Sequence, residues 1–135
     1  AALAYQHEPL CNSLSSQSLA ILPEFLVQHL SNTLWAFSVC GLQDEPLSEA
    51  IAAAALSKNS EFVAQELSNT AWSLARLNIS DDPLLQAIAA EAMPKISAFE
   101  TQELSNTALA FATLEVLHFP LISAISAAAR TTISE

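Results

Sequence analysis

Three histidines, two cysteines and fourteen acidic residues are the groups in this chain that chemistry could use. Their spacing argues against it. His7, His29 and His118 lie far apart and match no zinc-ligand pattern. Cys11 and Cys40 are too few for a disulfide framework. Asp81–Asp82 stands just ahead of Pro83 and reads as a helix start rather than a metal pair. Serine, histidine and carboxylate are all present, but there is no Gly-rich phosphate loop and no nucleophile elbow. The reading is a non-catalytic protein with no cofactor and no metal.

What recurs instead is a tetrapeptide. "LSNT" begins at Leu30, Leu67 and Leu104, and each copy runs on into an apolar stretch. Ser, Asn and Thr are mediocre helix formers because their side chains compete for backbone hydrogen bonds. Their repetition therefore needs a reason. The interval is 37 residues, and it also holds for Phe25, Phe62 and Phe99, for Pro46, Pro83 and Pro120, and for Ile51, Ile88 and Ile125. Ten of sixteen positions are identical between 62–77 and 99–114.

A fixed period of this length marks a repeat architecture. Each unit reads as two helices. The first runs over about 24–41, 61–77 and 99–115, and the second starts near the proline, which suits a first helical turn. Asp44 and Asp81 can cap the second helices, and His118 takes that place in the third unit. Leu47, Ala50, Ile51, Ala54 and Ala55 form an apolar stripe at helical spacing, repeated in the two later units. Pro94 is expected to end its helix, and 57–60 to form the corresponding linker one repeat earlier. Cys40 aligns with Leu77 and Leu114 and is expected in the core. Cys11 aligns with Ser48, Leu85 and Ile122, again a packing position.

The expected fold is all-α: an α-solenoid of two-helix, 37-residue repeats, about three and a half units and seven helices. One domain would span 1–135, with a half repeat at 1–22 and repeats at 23–59, 60–96 and 97–133. Leu3 falls where a first helix would end. A start in mid-repeat suggests a longer parent chain, or a first helix packed against another subunit. The last helix is expected to leave Ile125, Ala128 and Ala129 as an apolar strip wanting a partner.

On the first helix of each unit, one narrow polar strip recurs. It comprises Gln28, Asn32, Trp35 and Val39, then Gln65, Asn69, Trp72 and Arg76, then Gln102, Asn106, Leu109 and Thr113. Two readings compete. In one, the asparagines form a ladder, each amide bonded to the next repeat's backbone or to the neighbouring glutamine. In the other, amides and aromatics line a groove that reads a linear ligand, as helical-repeat proteins read RNA. The Ser and Thr of LSNT would bond back to carbonyls one turn earlier. His29 stands where Glu66 and Glu103 stand and reads as a surface substitution.

The 37-residue helical pair with "ELSNTAWSLARL" at 66–77 resembles the octotricopeptide and heptatricopeptide repeat families, and is similar to the helical arrays that precede RAP domains. That resemblance implies an organellar α-solenoid, with the chloroplast favoured over the mitochondrion, and a role in organellar RNA processing, stability or translation.

Charge points elsewhere. The formal net charge is −10, with only Lys58, Arg76, Lys95 and Arg130 as cations. An RNA binder neutralises phosphates with Lys and Arg. RNA is thus a possible partner but is disfavoured. No apolar run approaches the ~18–20 residues that span a bilayer. The preferred function is an interaction scaffold, an accessory subunit docked by protein partners onto a larger organellar assembly, possibly a photosynthetic one. Organellar RNA binding is the alternative.

Overall fold

A computed structural model describes residues 8–134, and the side chains of 9–134. Leu3 and His7 lie outside these described residues. Within them the chain is all-helical and holds no strand. Seven α-helices occur: α1 (Glu8–Ile21), α2 (Val27–Cys40), α3 (Glu45–Ser57), α4 (Ala64–Arg76), α5 (Asp82–Lys95), α6 (Thr101–Thr113) and α7 (Phe119–Ser134). Short 310 turns at Leu22–Glu24, Asn59–Glu61 and Ile96–Ala98 precede α2, α4 and α6.

The 37-residue period appears as repeated local chemistry. Asp44 Oδ1 accepts from Leu47 N and Asp81 Oδ1 from Leu84 N, both at 3.0 Å. His118 Nδ1 accepts from Leu121 N at 3.1 Å, so an imidazole nitrogen replaces the carboxylate at the third start. At the first helices, Glu66 Oε2 accepts from Val63 N and Glu103 Oε2 from Glu100 N. His29 Nδ1 accepts from Leu26 N in the same way. His29 is thus an exposed surface substitution, as expected, and it also supplies one half of a capping box.

The first helices also stop alike. Gly41, Asn78 and Glu115 share one repeat position, and all adopt left-handed backbone, with φ of 66°, 55° and 56°. The next residue in each case bonds back over the turn: Leu42 N to Phe37 O, Ile79 N to Leu74 O and Val116 N to Phe111 O. This is the Schellman arrangement, for which glycine is the unstrained choice. Pro94 does not end its helix; α5 runs one residue further, to Lys95. A proline so close to the end removes a single backbone donor.

Contacts follow the repeat order. α2, α4 and α6 pack side by side in one row, with α4 between the other two. α1, α3, α5 and α7 form a second, looser row, and each first helix also packs on the second helix of its own unit. The core lies between the rows. It is built from Leu30, Leu34, Leu67, Leu74, Leu104 and Phe111 on one side and Leu47, Ile51, Leu84, Ile88, Leu121 and Ile125 on the other.

Polar ties span the rows where sequence alone suggests only linkers. Lys58 Nζ donates to Phe25 O at 2.7 Å, and Lys95 Nζ to Phe62 O at 2.8 Å. Each lysine thus fastens the end of a second helix to the start of its partner. Lys95 also donates to Ser60 O at 3.1 Å and pairs with Glu91 at 3.0 Å. Thr132 holds this position in the third unit. Ser15 Oγ donates to Asp44 Oδ2 and Asn59 Nδ2 to Ala87 O, joining successive second helices.

Two stability outcomes follow. Glu115→Gly should raise unfolding free energy by about 0.5–1 kcal/mol, because the left-handed conformation costs a side-chain-bearing residue that much. Lys95→Met should lower it by about 1 kcal/mol, since the charge-assisted bonds are partly solvent-screened. Urea denaturation followed by circular dichroism measures both.

Candidate functional site

The strip residues stand on the face of the first-helix row turned away from the second row. Gln28, Asn32, Gln65, Arg76, Gln102 and Thr113 are exposed, while Asn69, Trp72 and Asn106 are half-buried. Trp35 is 44% exposed, Val39 47% and Leu109 58%, so large apolar groups lie open among the amides. The Arg76 guanidinium packs over the Trp72 ring, 5.1 Å from its centroid. Trp72, Arg76, Leu109 and Thr113 come together around a shallow pocket of about 210 Å³ between α4 and α6. Trp35 and Val39 lie outside it.

The side-chain amides of Asn32, Asn69 and Asn106 make no hydrogen bond among the described residues, and Asn69 takes part only through its backbone oxygen, which accepts from Ser73 Oγ at 2.6 Å. The rungs between successive first helices are the serines beside them. Ser31 Oγ donates to Glu66 O at 3.4 Å and Ser68 Oγ to Glu103 O at 3.2 Å, one unit ahead in each case. Both serines are buried. The expected back-bonding to the previous turn is made in the third LSNT copy. Ser105 donates to Thr101 O at 2.9 Å, and Thr107 to Glu103 O at 2.7 Å. Serine therefore does the stitching expected of asparagine. Its hydroxyl is short enough to sit in a close helix–helix joint, where an amide would hold the helices apart.

Cys40 is exposed, not a core residue. It lies on the side of α2 facing away from α4, and among the described residues no earlier first helix covers it. Cys11 is half-buried. On the last helix, Ile125 is buried and the open large apolar groups are Phe119, Ile122 and Ile133. Of the expected Ile125–Ala128–Ala129 strip, Ile125 turns inward onto α6, while Ala128 and Ala129 stay half-buried.

Elsewhere the surface is acidic. Asp44, Glu45, Glu49 and Asp81 line a cleft of about 320 Å³ between the α2–α3 and α4–α5 turns. Asp44 and Asp81 are already engaged as helix caps. No group of His, Cys, Asp or Glu among the described residues is arranged to hold a metal ion. No helix among them is long and apolar enough to cross a membrane. With Lys58 and Lys95 tied to backbone carbonyls, Arg76 and Arg130 are the side-chain cations left for a ligand.

Residues 1–134 match the family model of the RNA-editing substrate-binding complex 6 protein, and the chain belongs to that family. No curated protein compared with it matches. The family corrects the resemblance drawn from the 37-residue period, which is not that of an octotricopeptide, heptatricopeptide or RAP-type array. The chloroplast placement and the photosynthetic assembly rested on that resemblance and are overturned with it, since the family's complex is typically mitochondrial.

The buried hydroxyls make a paired test. Thr70 Oγ1 is buried with no hydrogen-bond partner, whereas its repeat counterpart Thr107 has one. Thr70→Val should be neutral or stabilising, within about 0.5 kcal/mol, while Thr107→Val should cost about 1 kcal/mol. Chemical denaturation of the two variants side by side reads the difference.

Proposed function

We propose that this member of the RNA-editing substrate-binding complex 6 family is a non-catalytic scaffold subunit, an α-solenoid of two-helix repeats that holds protein partners within such a complex. The observation that carries this reading is the family match across 1–134, which spans every helix of the array. The residues fit it. Buried side chains serve to join units: Leu and Ile between the rows, Ser31 and Ser68 along the first row. The chain's −10 charge suits contact with basic protein surfaces and opposes contact with phosphates.

Direct RNA contact is the second reading, and one observation favours it. Trp72, Arg76, Leu109 and Thr113 share an exposed pocket in which a base could stack beside a cation. A single free arginine per pocket supplies little phosphate neutralisation. We therefore assign substrate RNA to the complex and place this chain among its protein contacts.

Affinity purification of the tagged full chain, with and without nuclease, separates the two. The scaffold reading requires that editing-complex proteins stay bound after nuclease. Their complete release by nuclease would transfer the assignment to RNA. The isolated chain should bind single-stranded RNA no tighter than roughly 100 µM at physiological salt, the weak end of non-specific binding.

A further inference from the structure

The acidic cleft between the α2–α3 and α4–α5 turns breaks the repeat at one buried position. Ser48 stands in α3 where Leu85 stands in α5 and Ile122 in α7. Leu85 is fully buried and fills its joint with an isobutyl group. The shorter serine borders a hollow of about 320 Å³ instead. Ser48 is only 7% exposed, yet its hydroxyl makes no hydrogen bond among the described residues. A buried hydroxyl left without a partner is costly, and this one lines the cleft, from which a partner can come.

The rim carries carboxylates with oxygens to spare. Asp81 spends Oδ1 on Leu84 N and keeps Oδ2 free of any bond among the described residues. Glu45 and Glu49 are exposed, and their carboxylates likewise bond to nothing there. Asp44 differs, with both oxygens engaged by Leu47 N and Ser15 Oγ. Underneath, the lining is apolar: Ala52 and Leu77 are buried and Ile79 is half-buried. No Lys, Arg or His lines the cleft. Lys58 and Lys95 are tied to backbone carbonyls, and Arg76 lies over Trp72.

This combination selects among cations. No group among the described residues is arranged to hold a metal ion. An ammonium group is a compact, strongly hydrated charge and gains little from an apolar floor. A guanidinium is planar and weakly hydrated, with donors around its edge. Its face can lie on Leu77 and Ile79 while its N–H groups reach the carboxylates and Ser48 Oγ. We propose that this cleft binds the guanidinium of an arginine side chain presented by a partner protein of the complex, with Glu45, Glu49 and Asp81 as counter-charges and Ser48 as the acceptor within. This inference rests on the scaffold reading and names the site through which one partner is held.

The probe is the capped tripeptide acetyl-Gly-Arg-Gly-amide, titrated into the intact, isotope-labelled protein and followed by amide chemical shifts. Signals from 45–52 and 77–81 should move saturably, with a Kd of roughly 1–10 mM for a single side chain. The lysine tripeptide should bind at least about threefold more weakly, and the uncharged citrulline tripeptide should not saturate. Two variants borrow the residue of the next unit, so the hairpin keeps its fold. Ser48→Leu fills the hollow and Glu49→Gln removes a counter-charge; each should weaken binding at least about fivefold. Glu24→Gln removes one charge at the other end of α2 and should leave binding unchanged. All three should retain the wild-type circular dichroism spectrum. The proposal is overturned by the absence of saturable shifts, by equal binding of the lysine or citrulline tripeptide, or by binding indifferent to both Ser48→Leu and Glu49→Gln. Nuclease-resistant co-purification in the face of such a result would leave the scaffold reading standing and remove only this site.

Discussion

The close approach of α2, α4 and α6 is the constraint on which the other features depend. Helices can lie this near only when the groups between them are small, and a joint so tight leaves no room for water at a buried hydroxyl. Ser31 and Ser68 meet both demands, being minimal in bulk and able to donate to a carbonyl on the neighbouring helix. The weak helix propensity of LSNT is thus offset by packing between units. Helix ends then matter more. Each first helix is held by a side-chain cap at its start and a left-handed residue at its close.

Periodicity makes the helices and their order legible in the amino-acid sequence. Seven helices, starts near Pro46, Pro83 and Pro120, and the Asp44 and Asp81 caps all follow from spacing and capping chemistry. What spacing does not specify is direction around the helix axis. Asn32 and Ser31 are neighbours in sequence, yet about 100° of rotation places one on an open face and the other inside a joint. Lys58 and Lys95 are visible as a repeated pair, but a long side chain reaching back across its own hairpin leaves no signature in sequence. Cys40 departs from expectation for another reason. Alignment with Leu77 and Leu114 assumes identical surroundings, and among the described residues no earlier first helix lies beside α2, whereas Leu77 is buried and Leu114 half-buried.

On the proposed scaffold reading, the family and the electrostatics divide the work of RNA editing between this chain and others. An assembly that binds RNA substrates needs a cationic surface, and this chain contributes the opposite sign, −10 overall. Acidic groups collect at Asp44, Glu45, Glu49 and Asp81, in a cleft that shares no lining residue with the aromatic pocket at Trp72 and Leu109. A helical row with uncharged joints and an acidic exterior can be held between basic neighbours without competing for phosphates.

The lysine tether is missing from one unit. Thr132 occupies the place of Lys58 and Lys95, and among the described helices α7 packs in its row against α5 alone. Of the three described hairpins, the one that lacks the lysine should therefore open locally at the lowest free energy. Any contact made with that hairpin, by a neighbouring part of the fold or by another molecule, firms a segment that is otherwise easily loosened, so covering it and ordering it are one thermodynamic event.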